Sequence, residues 1–497
     1  MDAQRTKKVV IAGGGTAGWV AAAALVKQLG PLLDITLVES DDIGTVGVGE
    51  ATIPGIRSFH RLLEIDEQDF MRATQATFKL GIAFENWARL GDRYIHSFGA
   101  IGKASWMAEF HHFWLEAQTE NYGGVIGDYC IELQAAEAGK FYTSDRSPIN
   151  YAYHFDAGLY AEYLRKFSEP KGVKRVEGKI SKVDQDSESG FIKALVLESG
   201  ARVEGDLFID CTGFRGLLIE QTLKTGYEDW RHWLRTDSAL AVQTASTGDI
   251  PPYTRAIARQ AGWQWRIPLQ NRVGNGLVYC SEFLSEDEAR ATLKSNLDSA
   301  PLFEPRLIRY ITGRRKKVWD KNCVALGLAS GFLEPLESTS IHLIMIGVAR
   351  LIQLFPFSGA NPALIEEYNR ASRSELEKIR DFIILHYKAT ERDDTPFWRT
   401  CRDMEIPDTL AQRIAVFREN GHAYQAADEL FRVDSWVQVM LGQRIMPQGH
   451  HFVGRLLGSP QALRQSLTTL KSNIAAAVEK MPTHQAFLET YCSTERR

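Results

Sequence analysis

Residues 9–18 read Val9-Val10-Ile11-Ala12-Gly13-Gly14-Gly15-Thr16-Ala17-Gly18, and an alanine-rich segment follows to about Leu29. A short apolar run, a glycine turn and a helix-forming stretch make the first half of a βαβ unit. A second apolar run, Ile35-Thr36-Leu37-Val38, ends in Glu39, 26 residues beyond Gly13. Gly13 allows the tight turn, Gly15 lets backbone approach a pyrophosphate, and Gly18 lets helix and strand pack closely. Thr16 and Ala17 open the helix, whose unpaired N–H groups favour phosphate charge. Glu39, at a strand end, can accept from ribose hydroxyls. The expectation is a dinucleotide site.

Working outward, no second strand–GxGxxG–helix unit offers a seat for a nicotinamide cofactor. Instead, Asp210-Cys211-Thr212-Gly213 and Leu326-Gly327-Leu328-Ala329 follow apolar strands far along the chain. Glycines there, Gly327 among them, would let further strand ends approach a long cofactor, which suits FAD. A glycine-rich stretch also carries Gly44, Gly47 and Gly49, with Ala51 just beyond.

The 497 residues hold 58 Lys+Arg against 62 Asp+Glu, with 44% apolar and 24% charged residues. That composition excludes disorder, collagen and coiled coil. The pI near 6.3 gives no reason to expect nucleic acid or an anionic membrane as partner. Six scattered cysteines without a CxxC pair suggest neither a disulfide framework nor a zinc site, and point to a reducing cytoplasm. The histidine doublets His111-His112 and His450-His451 lack metal-ligand spacing and read as structural, so no metal is expected. No secretory leader and no bilayer-length apolar stretch are visible.

The expected fold is α/β: a FAD-binding Rossmann-like domain of the flavin monooxygenase type, an inserted β-sheet substrate region, and a helical C-terminal part. Residues 1–350 are expected to form the discontinuous FAD domain, with insertions at about 60–170 and 220–310. Residues 351–497 form the helical region that contributes to the substrate pocket. Helical spacing is clear at 363–387, 408–420 and 460–481, and alternating segments run over 173–183 and 192–197.

Three further clusters stand out. Trp263-Gln264-Trp265-Arg266-Ile267-Pro268 places two tryptophans on one face of a strand, where packing on a core is the plain reading. Phe78-Lys79-Leu80-Gly81 sets a lysine among apolar neighbours, and most such lysines reach out to solvent. Glu334-Pro335-Leu336-Glu337-Ser338-Thr339 reads by itself as a helix start with Ser/Thr capping.

Together with residues 13–18 and GVGEATIP (47–54), these clusters resemble the flavin-dependent tryptophan/indole halogenases. The match runs in the family's order from residue 9 to about 350. It implies an enzyme using oxygen, chloride or bromide, and FAD as FADH2, the FADH2 being supplied by a separate flavin reductase. Hypohalous acid would be led to Lys79, as a hydrogen-bonded acid or a haloamine. Glu337 would take the proton from the halogenated arene, and Ser338 would support the lysine. Thr339 and Ser340 would hold the halide at a helix N-terminus, although family members often carry glycine at the position of Ser340. Trp263, Trp265, Ile267 and Pro268 would wall the arene off from the flavin.

His96 and Phe98 fall where the family sandwiches an indole ring, and Trp436 is a further candidate wall. The stretch 435–443 lacks the paired tyrosines, the acid and the Phe-Trp pair that read the amino-acid end of tryptophan in specific members. A buried ammonium and carboxylate would lack partners there. A small aromatic such as free indole is therefore expected over free L-tryptophan. A homodimer is a candidate assembly. The rival readings are a flavin-dependent aromatic hydroxylase and a non-catalytic FAD-binding protein.

Overall fold

The computed structural model describes residues 6–43, 49–144, 146, 148–456 and 459–492. Gly44 and Gly47 of the glycine-rich stretch lie outside the described residues. The chain divides into two compact units: 1–76, 155–237 and 309–376 form the first, and 77–154, 238–308 and 377–497 the second.

The first unit is built on a six-stranded sheet. Lys8–Ala12 lies at its middle, parallel to Asp34–Glu39 on one side and Leu207–Asp210 on the other. Cys323–Ala325 and Lys174–Glu177 extend the parallel array outward. Parallel strands need both faces covered, and the inner ones, at 9–12, 207–209 and 323–325, are accordingly apolar runs, whereas the edge strand Lys174–Glu177 is polar. The helix Thr16–Leu29 packs tightly because Ala21, Ala22, Ala23 and Ala24 present no side chain beyond Cβ and are fully buried. This is the Rossmann-like arrangement read from residues 9–39. The single alternating segment expected at 173–183 is instead two strands. Gly178, at φ 151°, breaks it, so that Lys174–Glu177 joins the parallel sheet while Ile180–Gln185 pairs antiparallel with Ile192–Leu197.

The second unit centres on a seven-stranded, mostly antiparallel sheet. Gly262–Pro268 runs through it between Thr254–Arg259 and Arg272–Tyr279. Gly81–Glu85 and Arg93–Ser97 continue the sheet beyond Thr254–Arg259. The short strand Thr77–Lys79 pairs antiparallel with Ala152–Asp156. Helices Asp408–Asn420, Val433–Gly442, Pro460–Glu479 and His484–Tyr491 supply the helical C-terminal part. Among the described residues no helix is long and apolar enough to cross a membrane.

Candidate active site

In the first unit the glycine turn is shaped by close backbone approaches. Gly13 sits at φ 107°, a conformation that side chains disfavour, and its amide donates to the Val38 carbonyl at 2.8 Å. A Cβ on Gly18 would run into the Gly13 carbonyl oxygen, and one on Gly13 into the Cys211 carbonyl oxygen. Gly15 differs: a Cβ there would meet no protein atom within 4 Å. The open side of the turn thus lies over Gly15, the N-cap of the helix, whose first turn carries no acid. That is where a pyrophosphate fits.

Gly327, at φ 62°, lies against Ala17, so the turn after Cys323–Ala325 reaches the start of the same helix. Thr16 turns its hydroxyl toward the Ala157 carbonyl, at 3.4 Å. Gly49 and Ala51 form a short buried strand with Glu50. Glu39 closes the far side of the turn. Its Oε1 accepts from Arg175 Nε at 2.6 Å, and its Oε2 fills the space that a Cβ on Gly14 would need. Neither Arg175 nor Gly14 was singled out by sequence, because the pairing that brings Arg175 beside Glu39 is made by a distant strand.

Asp210 is fully buried, and its carboxylate accepts from Thr212 N, Thr212 Oγ1, Leu218 N and Ile219 N at 2.6–2.9 Å. It fixes the turn whose Cys211 carbonyl faces Gly13. Burial, and then the Asp210 charge, hold the Cys211 thiol well above its ordinary pKa.

The segment 334–340 lies in the same unit. Glu337, Ser338 and Thr339 are all buried, and Ser338 adopts φ 58°, a left-handed conformation rare for serine. The helix Ser340–Gln353 follows, with Thr339 as N-cap, but the capping expected from the Ser/Thr run is not made. The Thr339 hydroxyl is buried with no hydrogen-bond partner among the described residues. With no acid in the first turn and the leading N–H groups lacking intrahelical partners, this helix start suits a small anion.

In the second unit Lys79 does not reach solvent: it is 0% exposed. Its Nζ lies 5.1 Å from the centroid of the Phe98 ring, whose face attracts a cation. Gly81 lets the paired strand Arg93–Ser97 approach closely, since a Cβ there would press on the His96 carbonyl and the Ser97 Cα. His96 is buried beside Phe382 and Phe431, at ring separations of 5.6 and 6.2 Å. Phe382 stacks on Phe431 at 3.8 Å and meets the Trp436 ring edge-on at 4.8 Å. His96, Phe382, Phe431 and Trp436 therefore form one aromatic cluster, to which sequence reading contributed only His96 and Trp436. Gln438 holds the adjoining strand: its Oε1 accepts from both Ser97 N and Ser97 Oγ at 2.9 Å.

Trp263 and Trp265 share a face of Gly262–Pro268, with rings 6.2 Å apart. Trp263 packs near Trp87, which in turn meets Trp398 edge-on. The Trp265 ring occupies the place of a missing side chain at Gly276 on the paired strand. Ile267 is buried, and the Pro268 carbonyl accepts from Thr77 Oγ1 at 2.8 Å. Lys79, Phe98, His96 and the 263–268 strand thus all belong to the second unit. Glu337, Thr339, Ser340 and the glycine cradle belong to the first.

His111 Nε2 bonds the Gly421 carbonyl and His450 pairs with Glu116, so both doublets have structural partners. Among the described residues no group of three or more His, Cys, Asp or Glu side chains is placed to hold a metal.

A family model described as tryptophan halogenase matches residues 8–458. The chain is 38% identical over 442 residues to tryptophan 6-halogenase SttH of Streptomyces toxytricini, covering 83% of this chain and 84% of that protein. It is 37% identical over 438 residues to tryptophan 7-halogenase RebH of Lentzea aerocolonigenes, covering 83% and 82%. Among solved structures, Xcc4156, a flavin-dependent halogenase from Xanthomonas campestris, superposes with a TM-score of 0.97. Its identity is 56%, with 99% of this chain and 100% of that one covered.

Proposed function

This chain belongs to the tryptophan halogenase family and is a flavin-dependent halogenase, and we propose that it halogenates a small electron-rich arene, free indole in preference to L-tryptophan. The hydroxylase and non-catalytic readings are not favoured by these relatives. Reduced FAD, when bound, supplies the electrons with which oxygen converts halide to hypohalous acid. Gly13, Gly15, Thr16, Ala17, Gly18, Glu39, Gly49, Ala51 and Gly327 would hold that cofactor. Thr339 and Ser340 would hold chloride or bromide on backbone N–H groups. The open face over Gly15 and the unpaired Thr339 hydroxyl support this fit.

The observation that carries the reading is the burial of Lys79 against the Phe98 face. A lysine removed from solvent serves no solubility purpose, and charged groups buried in such sites are found disproportionately where chemistry is done. An ammonium there can donate to the oxygen of hypohalous acid, and an arene stacked between Phe98 and His96 would receive the halogen from it. Glu337 would receive the proton released as the ring regains aromaticity. Trp263, Trp265, Ile267 and Pro268 would keep the arene from the flavin. A separate flavin reductase and a cytoplasmic setting complete the proposal.

The test supplies FAD, a flavin reductase with NADH, oxygen and bromide, and offers indole and tryptophan in competition. A mass shift of bromine for hydrogen, mainly on indole and only when halide is present, is the expected result. Lys79→Ala should abolish product while NADH-driven oxygen consumption continues, and Glu337→Gln should slow turnover more than it weakens FAD binding. Product retained in Lys79→Ala would remove the lysine from the chemistry. Preferential bromination of tryptophan would overturn the substrate assignment.

A further inference from the structure

The strand Thr77–Lys79 is only three residues long, yet every one of its side chains is buried. So short a strand cannot fix its last side chain by ladder bonds alone, and two fully buried histidines grip it from different elements. His154 lies opposite Thr77 in the paired strand, and its Nδ1 is 3.0 Å from Thr77 Oγ1. Its Nε2 is 2.9 Å from Thr254 Oγ1. His484 opens the helix His484–Tyr491; its Nε2 accepts from the Phe78 backbone N–H at 3.1 Å, and its Nδ1 is 2.8 Å from the Ile250 carbonyl.

The partners place a hydrogen on Nδ1 of both rings, and for His484 they also leave Nε2 bare. The single hydroxyl hydrogen of Thr77 goes to the Pro268 carbonyl, which can only accept. Thr77 Oγ1 must then accept from His154 Nδ1–H, while the Thr254 hydroxyl, which can donate, meets a bare Nε2 when the ring is neutral. For His484 the Phe78 N–H can only donate, so Nε2 is unprotonated and Nδ1–H donates to Ile250. His484 is thus a neutral Nδ1–H tautomer, and His154, fully buried, takes the same form because a second proton would have to be held away from water. Burial agrees with this assignment, holding His484 down to about 4; burial and then the Lys79 charge hold His154 well below the ordinary histidine value. The hydrogen-bond chain Thr254–His154–Thr77 ends on a carbonyl, so it carries no proton to Lys79. It is a strut between the strand of Lys79 and the end of the strand of Trp263 and Trp265.

We propose that His154 and His484 are positioning residues for Lys79, clamping its strand from both sides as neutral Nδ1–H imidazoles. The inference rests on the reading of Lys79 as the amine that meets hypohalous acid and arene. Thr77 and Lys79 point to the same face of the strand, as alternate residues do, so displacement of the clamped backbone moves Nζ directly. A shift of about 1 Å in such a site costs on the order of 100-fold. The C-terminal helix thereby acts on the chemistry through one imidazole, although it carries none of the residues assigned to the reaction.

Three measurements test this. First, ¹⁵N-imidazole spectra of the wild-type full chain should include, among the Nδ1–H tautomers, two unchanged between pH 8 and 5 whose signals vanish in His154→Gln and His484→Gln respectively. An Nε2–H tautomer, or ordinary titration near 6.5 at either residue, overturns the proposal. Second, His484→Leu should lower brominated indole formed per NADH consumed by about 10–100-fold, with bromination of added dimedone rising as free hypobromous acid escapes. FAD affinity should stay unchanged. Third, His484→Gln, whose carboxamide oxygen can accept from the Phe78 N–H, should recover most of the coupling. Unchanged coupling in His484→Leu, or no recovery in His484→Gln, defeats the inference. Lys79→Ala run alongside separates the cases: if it still yields product, the reading of Lys79 fails; if only it loses product, the clamp alone falls.

Discussion

Replacing Gly15 and Gly18 separately by alanine should separate cofactor binding from protein packing. At Gly18 an added Cβ would lie 1.9 Å from the Gly13 carbonyl oxygen, a backbone atom that cannot rotate away. That is about 1.4 Å inside the roughly 3.3 Å at which carbon meets oxygen, so the helix must move off the strand. Overpacking of this kind costs about 1–3 kcal/mol, and ~2 kcal/mol lowers Tm by roughly 4–8 °C in a unit of this size. At Gly15 the same methyl meets nothing within 4 Å, and the backbone there (φ −73°, ψ −172°) is open to alanine. The loss of glycine's advantage at an N-cap, up to ~1 kcal/mol, is offset by a stiffer unfolded chain worth about 0.4–1 kcal/mol. Apoprotein Tm should therefore change by no more than about 2 °C. If the pyrophosphate lies over Gly15, the methyl holds it off and FAD affinity falls about 10–100-fold, or ~1.4–2.8 kcal/mol. Calorimetry of the apoproteins and FAD titration by fluorescence read the two effects independently. Wild-type FAD affinity in Gly15→Ala, or a Tm loss there matching that of Gly18→Ala, would refute the placement.

Gly276→Ala should displace the Trp265 ring, whose Cζ2 would lie 2.0 Å from the new Cβ. The expected cost is about 1–3 kcal/mol in urea denaturation, together with a changed near-UV circular dichroism. Gly248→Ala, with no atom within 4 Å, is the control and should be silent. For acid stability, burial holds both His111 and His484 down to about 4, while the unfolded value is about 6.5. The unfolded chain thus binds more protons between those limits. Stability is full above pH 6.5 and falls as pH drops toward 4, with a slope approaching ~1.4 kcal/mol per pH unit for each histidine. Urea midpoints at pH 8, 6 and 5 check this, and a flat profile would contradict neutral burial of these rings.

What the sequence determined by itself is local: the βαβ unit over residues 9–39, the long C-terminal helices, and the motifs that carry the family resemblance. These follow from short-range rules, because glycine turns and apolar periodicity are written in consecutive residues. Tertiary structure alone decided what depends on distant pairing. It set Arg175 on Glu39, emptied Gly276 for Trp265, and built the aromatic cluster of His96 from Phe382 and Phe431. It also brought His484, 406 positions along the chain, to the amide of Phe78. Sequence marks such a histidine as one of twelve with no local pattern around it, since its meaning lies in a lone pair facing a strand edge. Burial of Lys79 belongs to the same class: its apolar neighbours are visible in the chain, but solvent is excluded from its amine only by elements folded over it.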